Sequence, residues 1–239
     1  MTLKCRNLTK EYRKKKVVDN VSIEVRRGEI VGLLGPNGAG KTTTFKMITG
    51  LIKLNQGRVY LDEKDITYLP MYRRALMGIG YLTQEPSIFR NLTVEENIKA
   101  VLETIYKERR IIKDKCRNLL EKLGIRHLKE QKALFLSGGE KRRVEIARSL
   151  IRNPDMMLLD EPFVGIDPIA VSDIQKIVSD FRQDGLGILI TDHNVRETLQ
   201  VIDRAYIMYE GRILLSGNRE ELLKSPAARK VYLGNKFKM

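Results

Sequence analysis

Short apolar runs alternate with segments of helical spacing along most of the chain. The runs VSIEV, EIVGLL, RVYL, MMLLD and GILIT are rich in β-branched or other apolar residues, as strands are. Because helical patterns separate them, the sequence predicts an α/β domain with a mixed or parallel sheet.

The pattern changes between Thr93 and Gly124, where the apolar residues keep helical spacing. These residues are Val94, Ile98, Val101, Leu102, Ile105, Ile112, Cys116, Leu119, Leu120 and Leu123. The sequence therefore predicts a helical subdomain, residues 85–154, inserted into an α/β core made of residues 1–84 and 155–219. A tail would occupy residues 220–239, with helical character from about Glu220 until Gly234, and residues 1–239 would form a single domain.

A stretch poor in side chains, GPNGAGKT, directly follows the apolar run IVGLL. It satisfies the pattern GxxxxGK[ST] between a predicted strand and a helix that should begin near Thr43. Backbone amides can surround a phosphate where no Cβ obstructs them, and a helix N-terminus adds a positive dipole end. We expect Lys41 to reach the β- and γ-phosphates and the Thr42 hydroxyl to hold Mg²⁺. The predicted nucleotide-binding residues of this stretch are Gly35, Pro36, Asn37, Gly38, Ala39, Gly40, Lys41, Thr42 and Thr43.

Two adjacent carboxylates follow another predicted core strand. MMLLDEP ends the strand with Asp160, Glu161 and Pro162. Asp160 fits the role of the carboxylate at the metal site. Glu161 fits the role of a general base that polarises a water molecule toward the γ-phosphate. The alternative is that the two carboxylates cap the helix that follows Pro168.

The stretch LSGGE, residues 136–140, also favours two interpretations. Ser137 and Glu140 match a capping box for the helix KRRVEIARSLI. Gly138 and Gly139 are not needed for that box and cost roughly 1 kcal/mol each inside a helix. They therefore indicate a second close approach to an anion, whereas the basic run KRR is interpreted as a solvated face.

These motifs together resemble those of the ATP-binding cassette ATPases. GPNGAGKT, Gln84 after GIGYLT, LSGGE, MMLLDE, GID at 165–167 and His193 after GILITD occur in the order seen in that family. They span nearly the whole chain, and LSGG is the family's own signature. The implied fold is a P-loop NTPase core with an inserted helical subdomain.

The resemblance also implies roles for single residues. ATP and Mg²⁺ would lie between GPNGAGKT of one subunit and Ser137, Gly138 and Gly139 of a second copy, in a head-to-tail homodimer. Tyr12 would stack on adenine, Gln84 would sense the metal and the water, Asp167 would reach across the dimer, and His193 would bond the γ-phosphate. Many relatives carry Gln where this chain has Glu140, and a carboxylate cannot donate a hydrogen bond.

The charge and composition of the chain bear on whether it binds nucleic acid, a membrane or a metal ion. The 44 basic and 30 acidic side chains give a net charge of +14, which attracts nucleic acid or an anionic membrane. The basic residues are mixed with carboxylates, so a solvated surface is the simpler interpretation. Cys5 and Cys116 match no metal spacing. No apolar run approaches the roughly 18 residues of a membrane span, so we expect a cytoplasmic protein, peripheral on the inner face of the membrane.

A closer resemblance is to the ATPases of lipopolysaccharide-export systems. EPSIFRNLTVEENI, ILITDHNVRETL and DRAYIMYEGRIL carry it, together with the terminal VYLGNKF. It implies two membrane permease partners that dock at Phe89 and Arg90, and a tail around Tyr232, Gly234 and Phe237 that braces the dimer. The alternative is the ATPase of a branched-chain amino-acid importer. A cassette ATPase acting on nucleic acid or ribosomes would use the positive charge, but such proteins usually carry two cassettes, so no nucleic-acid partner is expected.

Overall fold

The computed structural model describes residues 1–228, apart from the side chains of Val195 and Ala227. The strands are β1 (Thr2–Tyr12), β2 (Lys15–Arg26), β3 (Ile30–Leu34), β4 (Gln56–Leu61), β5 (Lys64–Asp65), β6 (Ile79–Leu82), β7 (Met156–Asp160), β8 (Gly187–Thr191), β9 (Arg204–Tyr209) and β10 (Arg212–Asn218). The helices are α1 (Lys41–Thr49), α2 (Met71–Leu76), α3 (Val94–Leu102), α4 (Arg109–Lys122), α5 (Gly138–Ser149), α6 (Pro168–Gln183), α7 (Val195–Leu199), α8 (Arg219–Lys224) and α9 (Pro226–Ala228). The tail residues Tyr232, Gly234 and Phe237 lie outside the described residues.

The predicted α/β architecture is confirmed, and the strands form two sheets. A six-stranded sheet has the order β10-β9-β3-β8-β7-β6 and is parallel except for β10, which pairs antiparallel with β9. Every residue of β3, β7 and β8 is buried, because both faces of this sheet are covered. A separate antiparallel sheet, β2-β1-β4-β5, was not distinguished by the sequence patterns.

The helices α3, α4 and α5 lie between β6 and β7 in the sequence. Thr93 begins α3 with a capping box, in which its side chain accepts a hydrogen bond from the Glu96 amide. In α4 the buried residues Ile112, Cys116 and Leu120 follow the spacing of one helical face. These side chains belong to the same apolar cluster as Ile30 and Leu34 of β3, so helices and sheet share one core.

Parallel strands place the residues that follow them at one edge of the sheet. Gln84 follows β6, Asp160 ends β7 and Glu161 comes directly after it, and His193 follows β8. β3 is the next strand in the sheet and leads into the glycine-rich loop before α1. Four separate parts of the sequence therefore meet where α/β proteins bind ligands.

No helix of residues 1–228 is long and apolar enough to cross a membrane.

Candidate nucleotide site

Residues 35–40 form a loop that wraps the N-terminus of α1 and is called the phosphate loop below. The helix begins at Lys41, two residues earlier than the sequence suggested, and Gly40 precedes it with a φ of 105°. A Cβ on Gly40 would lie 2.6 Å from the Val17 carbonyl oxygen, and a Cβ on Gly35 would lie 2.1 Å from that of Met208. Only glycine fits these two positions. Gly38, in contrast, has a φ of 78° and open space beside it.

The start of α1 can receive an anion. Its N-cap, Gly40, offers no side chain to the first amides of the helix, and its first turn holds no acidic residue. A cavity of about 460 Å³ opens in front of these amides. It is lined by Val17, Asn37, Gly38, Ala39, Gly40, Lys41, Thr42, Thr43, Gln84, Glu161, Val164 and His193. We call it the phosphate cavity.

Lys41 supplies a buried positive charge at this cavity. Its side chain is 5% exposed, and Nζ donates hydrogen bonds to the carbonyl oxygens of Gly35 at 2.7 Å and Pro36 at 3.0 Å. Burial lowers the pKa of Lys41, and the carboxylates of Glu161, Asp160 and Asp192 oppose that shift. The three acids therefore favour the charged amine, which is the form that binds phosphate.

The carboxylate of Asp160 is held on both oxygens by hydroxyl groups. Thr191 Oγ1 donates to Oδ1 at 2.6 Å, and the Tyr81 hydroxyl donates to Oδ2 at 3.2 Å. Asp160 and Thr191 are register partners in the parallel pair β7 and β8. Burial and the Asp160 carboxylate both raise the pKa of Tyr81, so its hydroxyl stays protonated and remains a donor.

Gln84, Glu161 and His193 converge at one carboxylate oxygen. Gln84 Nε2 donates to Glu161 Oε2 at 2.9 Å, and His193 Nδ1 lies 3.4 Å from the same oxygen. Glu161 has a φ of 48°, which is uncommon for a residue with a Cβ and is found at functional sites. Its amide bonds the Thr191 carbonyl oxygen at 2.9 Å, which fixes this conformation. The three side chains line the phosphate cavity together with the first residues of α1.

Asp192 adds a further buried carboxylate behind His193. It is 0% exposed, and Oδ1 accepts the Asn194 amide at 2.7 Å. Burial raises the pKa of Asp192, whereas the hydrogen bond from Asn194 and the neighbouring His193 lower it. The sequence patterns did not single out this residue.

The alternative that Asp160 and Glu161 cap the next helix is wrong. Asp167 is the N-cap of α6, and its Oδ1 accepts the amides of Ile169 at 3.1 Å and Ala170 at 3.0 Å. Glu161 lines the phosphate cavity instead, whereas Asp160 is 1% exposed and is not among the residues that line it.

A family model described as ABC transporter matches residues 18–164, which include the phosphate loop, Asp160 and Glu161. The chain belongs to the ABC transporter family. It is 58% identical to a probable ABC transporter ATP-binding protein of Azorhizobium caulinodans, with 97% of this chain and 83% of the relative covered. It is 54% identical to the lipopolysaccharide export system ATP-binding protein LptB of Haemophilus influenzae, with 99% of each covered. It is 51% identical to LptB of Escherichia coli K12, with 100% of this chain and 99% of the relative covered.

Solved structures of ABC cassettes have the same fold. An ATP-binding cassette of an ABC transporter in its ADP conformation superposes with a TM-score of 0.90 at 33% identity, with 98% of this chain and 100% of that chain covered. A dimeric cassette in a post-hydrolysis state with ADP and Pi gives a TM-score of 0.81 at 25% identity, with 91% and 98% covered. The fold is therefore that of an ABC ATPase cassette.

The LSGGE stretch, residues 136–140, forms the capping box of α5. Ser137 Oγ accepts the Glu140 amide at 3.3 Å, and Glu140 Oε2 accepts the Ser137 amide at 2.7 Å. A Cβ on Gly138 would lie 2.8 Å from the Gly165 carbonyl oxygen, and one on Gly139 would lie 2.4 Å from Ala170 Cβ. Packing within this ABC cassette thus requires both glycines, so the glycines alone do not indicate an anion.

The structure does not bring LSGGE to the phosphate cavity of the same chain. Ser137, Gly139 and Glu140 instead line a second recess of about 320 Å³, together with Asp167 and other residues of α6. We call it the signature recess.

The interpretation of the basic run KRR as a solvated face is wrong for Arg142. This side chain is 6% exposed and forms an ion pair with Glu145 at 3.2 Å. Its guanidinium also donates to the carbonyl oxygens of Thr83, Asp160, Glu161 and Pro162, at 2.9 to 3.3 Å. Arg142 therefore ties α5 to the residue before Gln84 and to the backbone of both acids. Helical periodicity could not reveal this, because the acceptors are distant in sequence.

Three other predicted residues lie at the surface. Tyr12 is 47% exposed and is not among the residues that line the phosphate cavity; Lys10 Nζ lies 5.0 Å from its ring centroid. Phe89 is also 47% exposed, with the Arg148 guanidinium carbon 4.4 Å from its ring centroid. Arg90 is exposed, and its carbonyl oxygen accepts the Leu134 amide.

The sequence patterns missed several residues at the site. Val17 and Val164 line the cavity, and Tyr81 and Thr191 hold Asp160. Only Thr191 could have been found, because aligning the ends of two parallel strands places it beside Asp160.

Proposed function

We propose that the chain is the ATP-hydrolysing subunit of a transporter that exports lipopolysaccharide. The observation that carries the hydrolytic part is the convergence of Gln84 and His193 on Glu161, across a cavity from Lys41 and the N-terminus of α1. The export part is supported by relatives that are 51% and 54% identical over nearly their whole length and are named for lipopolysaccharide export.

The site can bind and orient a nucleoside triphosphate. The amides of the phosphate loop and α1 would bind the phosphates, and Lys41 would neutralise the β- and γ-phosphates. Glu161 would accept a proton from the attacking water, while Gln84 orients that water and His193 bonds the γ-phosphate. Tyr12 would stack on the base.

The residues proposed for the metal carry oxygen atoms, which suit Mg²⁺. Magnesium takes oxygen ligands, usually one or two from protein and the rest from phosphate and water. Thr42 and Gln84 line the phosphate cavity and offer a hydroxyl and an amide oxygen, and Asp160, whose carboxylate Thr191 and Tyr81 hold, offers a negative charge. When bound, the ion would neutralise charge on the phosphates.

Two copies of the chain would complete each site. In one copy Ser137 and Gly139 line the signature recess and not the phosphate cavity. A head-to-tail homodimer would set this recess, with Asp167, over the γ-phosphate held by the other copy. That a solved cassette of the same fold is dimeric with ADP and Pi bound supports a dimer. ATP binding would then close the dimer, and loss of the γ-phosphate would reopen it.

Two permease subunits would bind this chain at exposed residues of one segment, and the chain would lie as a peripheral protein on the membrane. Phe89 and Arg90 are exposed and lie in the segment between Gln84 and Leu92, which could pass motion from the site to the permeases. We further propose that residues 85–154 act as one helical subdomain between the core segments 1–84 and 155–219.

The experiment that tests the function combines turnover with partner identification. The purified chain should hydrolyse ATP only with Mg²⁺, and the tagged chain, extracted in mild detergent, should co-purify with two permeases that carry large periplasmic domains. Two compact permeases with a soluble amino-acid-binding protein would instead support a branched-chain amino-acid importer. Absence of Mg²⁺-dependent hydrolysis, with and without the co-purified partners, would refute the enzymatic part.

Replacing Thr191 with valine should weaken metal binding. The change keeps the shape of the side chain but removes the hydroxyl that donates to Asp160 Oδ1 at 2.6 Å. Loss of a group that orients a metal ligand typically costs about 10- to 100-fold in metal affinity. Mn²⁺ binding, followed by electron paramagnetic resonance in the presence of ADP, measures this effect, and Thr191→Ser should restore it. Equal Mn²⁺ affinity in the valine variant would show that Thr191 does not orient the ligand.

A further inference from the structure

Two long cationic residues form the turn between β1 and β2, where the backbone conformation disfavours them. Tyr12 pairs with Lys15, so Arg13 and Lys14 alone make the turn, and their φ angles are 47° and 67°. A two-residue turn with both φ angles positive is of type I′, for which Asn-Gly is strongly preferred. Turn stability therefore does not explain these two residues, and strained positions of this kind concentrate at functional sites.

Positive charge is concentrated at this turn. Residues 13–16 read RKKK, and all four side chains are exposed. Lys16 pairs with Asp19 at 3.0 Å. Arg13, Lys14 and Lys15 form no ion pair with any residue in the described range 1–228. Three cations are thus left without an ion-pair partner among the residues that the structure describes.

The turn lies close to the phosphate cavity. Val17 lines this cavity, and its carbonyl oxygen is the atom that excludes a Cβ from Gly40. At about 3.3 Å per residue, the backbone of Lys15 is within about 7 Å of Val17 and that of Arg13 within about 13 Å. The distance for Lys15 is within the Debye length of about 8 Å at physiological ionic strength, and the distance for Arg13 is within the Debye length of about 30 Å at 0.01 M salt.

We propose that Arg13, Lys14 and Lys15 guide the anionic nucleotide into the phosphate cavity. This inference rests on the proposed nucleotide site and adds a step before binding. Lys41 holds the phosphates inside the cavity, whereas the basic turn attracts a nucleoside polyphosphate while it is still in solvent. Charges that act during approach change the association rate and its dependence on salt, and have little effect on dissociation.

The test is the double substitution Arg13→Asn with Lys14→Gly. It removes two charges and installs the favoured turn sequence, so the thermal stability should stay equal or rise while nucleotide association slows. Stopped-flow mixing with a fluorescent ATP analogue should show an association rate constant about three- to five-fold lower at low ionic strength. The difference should shrink as salt is added, and the dissociation rate should stay within about two-fold of wild type.

A matched control removes two exposed charges elsewhere. Arg110→Gln with Lys113→Gln lowers the net charge of the chain equally, on α4, and should leave the association rate unchanged. An unaltered rate in the turn variant at low salt, or an equal loss in the control, would overturn the proposal.

A membrane role for the basic turn would give a distinct result. If the turn variant loses binding to anionic phospholipid vesicles while its nucleotide association is unchanged, the charges serve a membrane surface and the proposal fails. If the wild-type chain binds no nucleotide, the proposed function itself fails, and the proposal with it.

Discussion

Replacing Lys41 with alanine is expected to weaken ATP binding by about 100-fold or more, because each hydrogen bond to a charged group contributes roughly 1.5–3 kcal/mol. The Lys41 side chain is 5% exposed and lies at the N-terminus of α1. The carboxylates of Asp160, Glu161 and Asp192 favour its charged form. Without the amine, these carboxylates would face the phosphates with less positive charge to offset them. Isothermal titration calorimetry with MgATP measures the loss.

Lys46→Ala is the matched control for this prediction. Lys46 belongs to the same helix but is exposed to solvent. Its removal should leave the affinity within about two-fold, since an isolated surface charge is largely screened. Because Lys41 also bonds two carbonyl oxygens of the phosphate loop, the melting temperature of each nucleotide-free variant must be measured as well. Unchanged affinity in a folded Lys41→Ala variant would refute the phosphate site.

Replacing Glu161 with glutamine should slow ATP hydrolysis by about 100- to 10,000-fold, the range over which a general base acts. The amide keeps the size of the side chain, and its oxygen can still accept the hydrogen bond that Gln84 donates at 2.9 Å. Nucleotide binding should therefore persist while proton transfer is lost. Since ATP would remain bound, light scattering after gel filtration should show a dimer that forms with ATP and not with ADP.

Glu63→Gln, on the surface, controls for the loss of one negative charge and should keep the wild-type rate. Wild-type turnover in Glu161→Gln would show that another group is the base. A slow variant that stays monomeric with ATP would retain the base assignment but contradict the proposed dimer closure.

Arg142 shows why a basic run is a poor guide to exposure. Within KRRVEIARSLI the sequence separates an apolar face from a polar one, and Arg142 lies on the polar side. The surface that it meets consists of backbone carbonyl oxygens from residues 83 and 160–162, which no side-chain pattern records. A guanidinium has five donors in a fixed fork, so it can satisfy several carbonyl groups at once. Burial of this cation depends on loops that only the sheet brings together.

The two glycines of LSGGE show a similar limit of sequence patterns. Their cost inside a helix is evident from the sequence, which indicates that something approaches them closely. The pattern favours an anion in that place, whereas the structure has the Gly165 carbonyl oxygen and Ala170 directly against them. A glycine signals close approach, but the sequence does not say what approaches.

The sequence by itself determined the α/β class, the phosphate loop, the two acids at the end of a core strand and the family. Each of these can be recognised in a short stretch of sequence. The stretches are apolar runs typical of strands, glycines at fixed spacing, and acids directly after a strand. Only the tertiary structure decided that Glu161 meets Gln84 and His193, that Thr191 and Tyr81 hold Asp160, and that Arg142 is buried. These contacts join residues that are 18 to 79 positions apart. They form because neighbouring parallel strands end at one edge of the sheet, and the order of strands in a sheet is set by packing of the whole chain.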